Sequence, residues 1–586
     1  AFLPRFFEYL TEKDLMCTAT LVCSQWADVA AYSLAKIMLI SVGCPTDIIP
    51  RGRREDTVDA ENVQKDAEFD YDHNDIVRIS DNQYQNTLKS KEKSWSEMNS
   101  IFPWACFLAE GAYKKVYRVW NAKVTREEAV SVMDVELIES MGNKAVIGAE
   151  LAVSVLLSSL ARRNICPNFV ITRGIFSCPF EPPASHWGCA SNRQPIGAKF
   201  DPSFRAKKPR QPHVKKAGKF QYIRMELCKH GDLEEFIANQ PEKLLSYEEA
   251  RHLLFQMAFS LYAASSRYGM KHYDVKLLNF FLQSANDETI DSNRHPITLL
   301  RYGVGDYIFS LRMPTTRAYV AKLADYGTAD LQQDSNGNPV TLGQFTTLEN
   351  SPPEQLILGD EAVQGFGHDM FGLGLCMLHL FTGEAPYEEI LQGVCCPPAL
   401  KKKLRHIWES GKKSSGFSVI RSVILSDVFE DDDGNTQGVA DDTLYDTLYR
   451  FLVLFGIPKE KYKMKENGGV WKAIVSSLGD HDESVSNNRL KPADKDIFVR
   501  DRRLFSFSHG SDRRISRARE TLEKMAGGVE LLLSLVEFNP DKRSTALDVL
   551  NSKFMSPLRN NQIKADETDD SMISYSFMAF CTPSGK

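Results

Sequence analysis

Residues 272–280 (HYDVKLLNF) constrain this chain more than any other stretch of its sequence. The segment places a carboxylate, an ammonium and a carboxamide close together, as Asp274, Lys276 and Asn279. The carboxylate can accept the proton of an attacking hydroxyl, the ammonium can neutralise a moving anionic group, and the carboxamide oxygen can ligate Mg²⁺. Together these groups suit the transfer of a phosphoryl group to a hydroxyl.

Four further motifs follow this segment in order. They are residues 325–327 (DYG), 353–354 (PE), 368–374 (HDMFGLG) and 539–543 (NPDKR). With residues 272–280, they resemble the catalytic loop, the Mg²⁺-binding element, the end of the activation segment, the central helix and the late arginine motif of eukaryotic protein kinases. The resemblance implies an α+β, bilobal protein-kinase fold, with an antiparallel-sheet small lobe and a helical large lobe.

The resemblance also implies a role for each matching residue. Asp274 would be the base and Lys276 the γ-phosphate cation, and Lys276 at this position favours Ser or Thr as the acceptor. Asn279 and Asp325 would hold Mg²⁺. Thr347 would form hydrogen bonds with Asp274 and Lys276. The remaining residues would be structural: His272, Asp369, which would brace the catalytic-loop backbone, and Glu354, which would pair with Arg543.

The kinase-like phosphate lid is unusual. Residues 108–117 (LAEGAYKKVY) resemble the lid, but only the middle glycine, Gly111, is kept, and Lys114 occupies the third glycine position. The alternating segment 129–135 predicts a half-buried strand. It aligns with the strand that carries the ATP-phosphate lysine in the family, and that position is Met133.

Two interpretations of Met133 follow. Either the chain is a degenerate kinase that has lost phosphotransfer, or Lys114 replaces the lysine, as in the with-no-lysine kinases. Strand alternation places Lys114 on the same face as Val116, whose family counterpart covers the adenine. Because adjacent strands lie about 4.8 Å apart, the Lys114 ammonium can reach the usual phosphate site from the neighbouring strand.

The next segments complete the predicted small lobe. Residues 147–157 predict a helix on which Glu150 would pair with the ammonium, although a plain amphipathic helix with an acidic first turn has the same pattern. Residues 220–228 predict a strand that runs into the interlobe hinge. There the backbone of Glu226 and Cys228 would bind adenine, by family resemblance.

The N-terminal residues 1–40 carry a second resemblance. Leucines and aromatic residues spaced by three and four, ending in residues 21–26 (LVCSQW), resemble the F-box, which docks onto the Skp1 adaptor of ubiquitin ligases. The whole chain is then divided as F-box 1–40, linker 41–100, kinase domain 101–558 with insertions at about 178–219, 285–318 and 388–520, and a disordered tail 559–586. The chain begins with Ala rather than Met, so we expect its N-terminus to be incomplete.

Net charge and cysteine content limit the expected classes of binding partner and the expected cellular location. A formal net charge of −6 over 586 residues does not favour a nucleic-acid or membrane partner. The twelve cysteines are scattered without a secretory signal, so we expect a cytoplasmic or nuclear protein. The expected function is an ATP- and Mg²⁺-dependent protein Ser/Thr kinase. The alternative is a catalytically inactive kinase fold that acts as an F-box substrate receptor.

Tyr273 bears on regulation. It stands where the family usually has an arginine that pairs with an activation-loop phosphate. We therefore expect activity that does not depend on such phosphorylation.

Overall fold

A computed structural model describes residues 95–111, 113–195, 217–286, 292–331, 350–353, 355, 365–396, 446–447, 450–451, 454, 513–537, 540–560 and 572–579. These residues divide into two compact units. Unit 1 takes the described residues up to Arg163, together with 170–228 and 325–327, and unit 2 takes the others. The predicted F-box at 1–40 lies outside the described residues.

Unit 1 is built on one antiparallel sheet. Its strands are β1 Trp104–Glu110, β2 Lys114–Asn121, β3 Arg126–Asp134, β4 Thr172–Phe180 and β5 Ala217–Glu226, in the order β1-β2-β3-β5-β4. Its helices are α1 Trp95–Ile101, α2 Val135–Ser140, α3 Lys144–Arg162 and α4 Ala184–Trp187. The alternating side chains of these strands give the sheet two different faces. The predicted strands at 129–135 and 220–228 are therefore present, with slightly shifted ends.

One face of this sheet is covered by an aromatic core. Tyr117 and Tyr222 project from β2 and β5, and the Trp187 ring of α4 lies 5.2 Å from the Tyr117 ring and 6.3 Å from the Tyr222 ring. The Lys- and Arg-rich composition of the insertion at about 178–219 predicts a solvated loop. Its described part differs, since β4 continues to Phe180 and Trp187 is fully buried. The loop's basic composition concealed this short aromatic stretch.

Six α-helices of unit 2 are bounded by described residues. They are α5 Leu233–Ala238, α6 Tyr247–Tyr268, α7 Phe366–Thr382, α8 Arg513–Lys524, α9 Gly528–Leu535 and α10 Ala546–Asn551. A capping box at Ser246 and Glu249 begins α6, and Gly269, with φ of 64°, ends it. The nearly all-apolar α7 packs against α6, α8 and α9, so it lies at the centre of this unit. Among the described helices, none is both long and apolar enough to cross a bilayer.

Unit 2 also contains two small sheets. Strands β6 Phe280–Ser284 and β9 Tyr319–Leu323 pair antiparallel. The second sheet has the order β10-β8-β7-β11 and consists of β7 Ile297–Val304, β8 Tyr307–Pro314, β10 Arg559–Asn560 and β11 Met572–Ala579.

The second sheet includes the predicted insertion at about 285–318 and corrects the prediction for the tail. The insertion at about 285–318 forms the β7–β8 hairpin, and β11 lies parallel to β7. The prediction of a disordered tail at 559–586 was therefore wrong for the residues of β10 and β11. Phe577 of β11 packs with a ring-centroid distance of 5.2 Å from Tyr302 of β7. Such a strand cannot be recognised locally, because its partner lies far away in the sequence.

Candidate functional site

Lys114 lies directly opposite Met133 in the β2–β3 register. Residues directly opposite in antiparallel strands have their Cβ atoms about 5 Å apart on the same face. The Lys114 Nζ atom lies 2.9 Å from Glu150 Oε1 and 2.7 Å from Asp325 Oδ1. Unit 1 therefore gathers one ammonium and two carboxylates on the face of the sheet that carries Met133.

Glu150 connects this ammonium to the DYG backbone. It is buried on α3, and its Oε2 atom accepts the backbone N–H of Tyr326 at 2.7 Å. Asp325 itself has φ of 64°, a left-handed conformation that is uncommon outside glycine. The hydrogen bonds to Lys114 and from Tyr326 hold the backbone of Asp325 and Tyr326 in this conformation.

The charge state of Lys114 follows from its partners. Burial alone lowers the pKa of the ammonium, but the carboxylates of Asp325 and Glu150 outweigh burial and raise the pKa above its usual value. Lys114 is therefore positively charged at neutral pH. The next residue, Lys115, points to the other face and pairs with Glu181. Alternation along β2 thus separates the two lysines.

The catalytic-loop residues form a second cluster, in unit 2. Lys276 Nζ lies 2.9 Å from Asp274 Oδ2. The Asn279 Nδ2 atom donates hydrogen bonds to the backbone oxygen of Asp274 at 2.8 Å and to its Oδ2 atom at 3.0 Å. A single helical turn, Leu277–Asn279, places Asn279 back against Asp274. The loop therefore holds a base, a cation and a carboxamide in one hydrogen-bonded group.

Asp369 braces this loop from α7. Its two carboxylate oxygens accept the backbone N–H groups of His272 and Tyr273, each at 2.7 Å. Burial raises the pKa of Asp369, although the His272 ring and these two N–H donors act in the opposite direction. Tyr273 adopts a left-handed φ of 63°. The buried carboxylate compensates for that conformation by satisfying both amides.

His272 ties the loop to the residues around the DYG element that belong to unit 2. Its ring Nε2 lies 3.1 Å from the Ala324 oxygen, and its own backbone oxygen accepts the Thr328 hydroxyl at 2.8 Å. The Ala324 N–H donates to the Asn279 oxygen at 2.9 Å. His272 therefore links the catalytic loop to Ala324 and Thr328, which lie before and after the DYG element.

The other predicted residues are placed as follows. Gly111 donates its N–H to the Lys114 oxygen at 2.8 Å, and Val116 pairs with Ser131 across the β2–β3 register. Glu226 donates its N–H to the Ile171 oxygen at 2.9 Å.

Of the four remaining predicted positions, the structure describes two, Cys228 and Arg543. Cys228 follows β5 and is partly exposed. Arg543 donates to the Gly367 oxygen at 3.0 Å, and its guanidinium lies 5.2 Å from the centre of the Phe371 ring. Thr347 and Glu354 lie outside the described residues, so the predicted Glu354–Arg543 pair remains a prediction.

The two predicted metal ligands have suitable chemistry. Mg²⁺ takes oxygen ligands, usually one or two from the protein. The Nδ2 atom of Asn279 donates a hydrogen bond to Asp274, so the Oδ1 atom of Asn279 points away from Asp274. The Asp325 side chain is 43% exposed. The carboxamide and carboxylate oxygens of these residues therefore fit Mg²⁺.

Sequence reasoning missed one pair beside the catalytic loop. Lys271 and Asp330 form an ion pair with an Nζ–Oδ2 distance of 3.0 Å. They are 59 positions apart, and no local pattern connects them.

Comparison with known families agrees with the catalytic-loop geometry. A model of the protein kinase domain matches residues 212–396. The matched range contains Asp274, Asn279, Asp325 and Asp369, whereas Lys114 precedes it. No curated protein matches the chain. Residues 212–396 are therefore similar to the protein kinase domain.

Proposed function

We propose that this protein is an ATP-dependent protein kinase that transfers the γ-phosphate to a Ser or Thr hydroxyl of a protein substrate. The observation that carries the proposal is the hydrogen-bonded group of Asp274, Lys276 and Asn279. It holds a base beside a cation, as transfer of an anionic group to a hydroxyl requires.

The residues of the catalytic loop would act in one displacement. Asp274 would accept the proton of the substrate hydroxyl while its oxygen forms a bond to the γ-phosphorus. The bond from the γ-phosphorus to the bridging oxygen would break, and ADP would leave with that electron pair. Lys276 would stabilise the negative charge on the transferring group. Mg²⁺, bound by Asn279 and Asp325, would neutralise charge on the phosphates.

Lys114 would act on the non-transferred phosphates. Its ammonium would bind the α- and β-phosphates, and Glu150 would orient it. The 2.9 Å contact with Glu150 and the register opposite Met133 support the relocated lysine. By family resemblance, Gly111 and Val116 would cover the nucleotide, and the hinge backbone of Glu226 and Cys228 would bind its base.

The proposal is tested with radiolabelled ATP and Mg²⁺, using a basic protein and the chain itself as acceptors. Asp274→Asn keeps the size of the side chain but removes the base, so transfer should fall by about 10²- to 10⁴-fold. Nucleotide binding, measured by titration calorimetry, should persist in this variant. Acid hydrolysis of the product should release phosphoserine or phosphothreonine. Equal transfer by Asp274→Asn and the unaltered chain would refute the mechanism.

A second candidate rests on Met133, whose thioether cannot neutralise a phosphate. In this proposal the chain is a catalytically inactive receptor that recruits substrates to a ubiquitin ligase through residues 1–40 and a Skp1-like adaptor. Co-purification with Skp1, lost on deletion of residues 1–40, would support the receptor role. Transfer that disappears in Asp274→Asn would exclude the inactive form. A cytoplasmic or nuclear location is proposed for either function.

A further inference from the structure

Lys271 and Asp330 are joined by two backbone hydrogen bonds and by an ion pair between their side chains. The Lys271 N–H donates to the Asp330 oxygen at 2.9 Å, and the Asp330 N–H donates to the Lys271 oxygen at 2.8 Å. Their side chains meet at 3.0 Å, and the Lys271 side chain is only 4% exposed. An ion pair with one partner so deeply buried depends strongly on both charges.

The pair lies immediately beside the catalytic loop. Lys271 precedes His272, whose backbone oxygen accepts the Thr328 hydroxyl at 2.8 Å and whose N–H is held by Asp369. Residues 328–330, which follow the DYG element, are therefore attached to Lys271 and to His272, the first residue of the loop. Asp274, the proposed base, is only two positions beyond His272.

Tyr273 supplies no cation at this point of the loop. Its ring packs edge-on against His368, with a centroid distance of 5.3 Å. The ammonium of Lys271 binds the described segment after DYG through the carboxylate of Asp330, with an Nζ–Oδ2 distance of 3.0 Å. Both charges are present without any covalent modification.

We propose that Lys271 and Asp330 are positioning residues: their ion pair holds residues 328–330 against the catalytic loop in the unphosphorylated protein. In kinases with an arginine at the position of Tyr273, that arginine binds an activation-loop phosphate. Here the carboxylate of Asp330 replaces the phosphate as the anion, and Lys271 is the cation that it binds. This inference rests on the proposed kinase function for its effect on transfer. The attachment itself is a property of unit 2 and can be measured without nucleotide.

The experiment compares Lys271→Met, Asp330→Asn, the conservative Lys271→Arg and the exchanged double variant Lys271→Asp/Asp330→Lys. Arg519→Met is the matched control, because it removes one partner of the exposed Arg519–Glu523 pair on α8, whose N–O distance is 2.9 Å. Hydrogen exchange of the backbone amides at residues 271–274 and 328–331 is followed without nucleotide. Phosphate transfer is then measured for kcat and for KM of ATP, before and after phosphatase treatment.

In the two neutralising variants, Lys271→Met and Asp330→Asn, hydrogen exchange at the backbone amides of residues 271 and 330 should be at least about tenfold faster, because local opening of this segment becomes easier. Their kcat should fall about tenfold, which corresponds to about 1.4 kcal/mol, with KM for ATP nearly unchanged. Lys271→Arg and the exchanged pair should recover most of both losses, and Arg519→Met should change neither. Phosphatase treatment should leave the transfer activity of the unaltered chain unchanged.

Three results would overturn the inference. One is unchanged exchange in both neutralising variants. Another is failure of both Lys271→Arg and the exchanged pair to restore slow exchange. The third is loss of transfer after phosphatase treatment. If the unaltered chain transfers no phosphate, the proposed function fails, but the exchange data still decide whether the pair holds residues 328–330.

Discussion

Replacing Lys114 by Met should strongly reduce phosphate transfer, because this change removes the ammonium that lies between Glu150 and Asp325. The effect on stability can be worked from the contacts. Among the described residues, buried Glu150 would keep only the Tyr326 N–H as a hydrogen-bond donor, whereas the Asp325 side chain, 43% exposed, would become hydrated. Removing one partner of a buried ion pair costs about 3–5 kcal/mol, and the exposure of Asp325 places this case near about 3 kcal/mol.

The effect on transfer should exceed the effect on folding. Removing one electrostatic group from a reacting centre costs about 10²- to 10³-fold in kcat. The β2–β3 register provides a rescue, since Met133 lies directly opposite Lys114. Lys114→Met/Met133→Lys should regain at least about tenfold of the lost transfer, because the new Cβ starts only about 5 Å away on the same face.

The assay is the initial rate of transfer from radiolabelled ATP, together with urea unfolding of each variant. Lys115→Met is the matched control, because Lys115 is the adjacent lysine but points to the opposite face, toward Glu181. It should keep nearly full transfer and lose about 1 kcal/mol or less, as expected for an exposed pair. If Lys114→Met transfers as well as the unaltered chain, or if Lys115→Met loses as much as Lys114→Met, the relocated-lysine argument is wrong.

Three further predictions concern the stability of unit 2. Gly372→Ala would place a Cβ atom 2.7 Å from the Val275 oxygen and should cost about 1–3 kcal/mol in urea unfolding, whereas Gly393→Ala meets nothing within 4 Å and should be nearly neutral. Phe577→Ala should cost about 3 kcal/mol, because its ring is buried in the second sheet; an unchanged urea midpoint would show that β11 does not pack there. Burial, and then neighbouring carboxylates, raise the pKa of Glu234 from 4.5 to about 7. Between these pH values the folded state binds more protons than the unfolded state. The free energy of unfolding therefore falls as the pH rises through this range. Glu234→Gln should therefore gain up to about 1 kcal/mol over the unaltered chain at pH 8 but not at pH 4, measured by thermal unfolding at both pH values.

Much of unit 1 and the catalytic loop could be predicted from local patterns. Alternation along residues 129–135 and 220–228 predicted β3 and β5, and the period of two placed Lys114 and Lys115 on opposite faces. Asp274, Lys276 and Asn279 are close in sequence, so one tight turn is enough to bring their side chains together. Such relations are predictable because they depend on backbone geometry over only a few residues.

The errors have a common origin. The tail was predicted to be disordered because residues 559–586 are polar at first and lack a visible partner. In the fold, β11 gains its hydrogen bonds from β7, more than 250 positions earlier, and its aromatic contact from Tyr302. The stretch around Trp187 was judged by the basic residues that follow it, although its own aromatic ring belongs to the core.

The sequence by itself therefore determined the order of the motifs, the types of several strands and helices, and the chemical groups available for the proposed phosphate transfer. Family resemblance also predicted Glu150, 36 positions away, as the partner of the Lys114 ammonium. Only the tertiary structure decided that Asp325, 211 positions away, joins this pair and that Lys271 meets Asp330. The physical reason is the range of the interactions. Periodicity and turn geometry act between near neighbours in the chain, whereas an ion pair forms wherever packing brings two charges within a few ångströms, regardless of their separation in sequence.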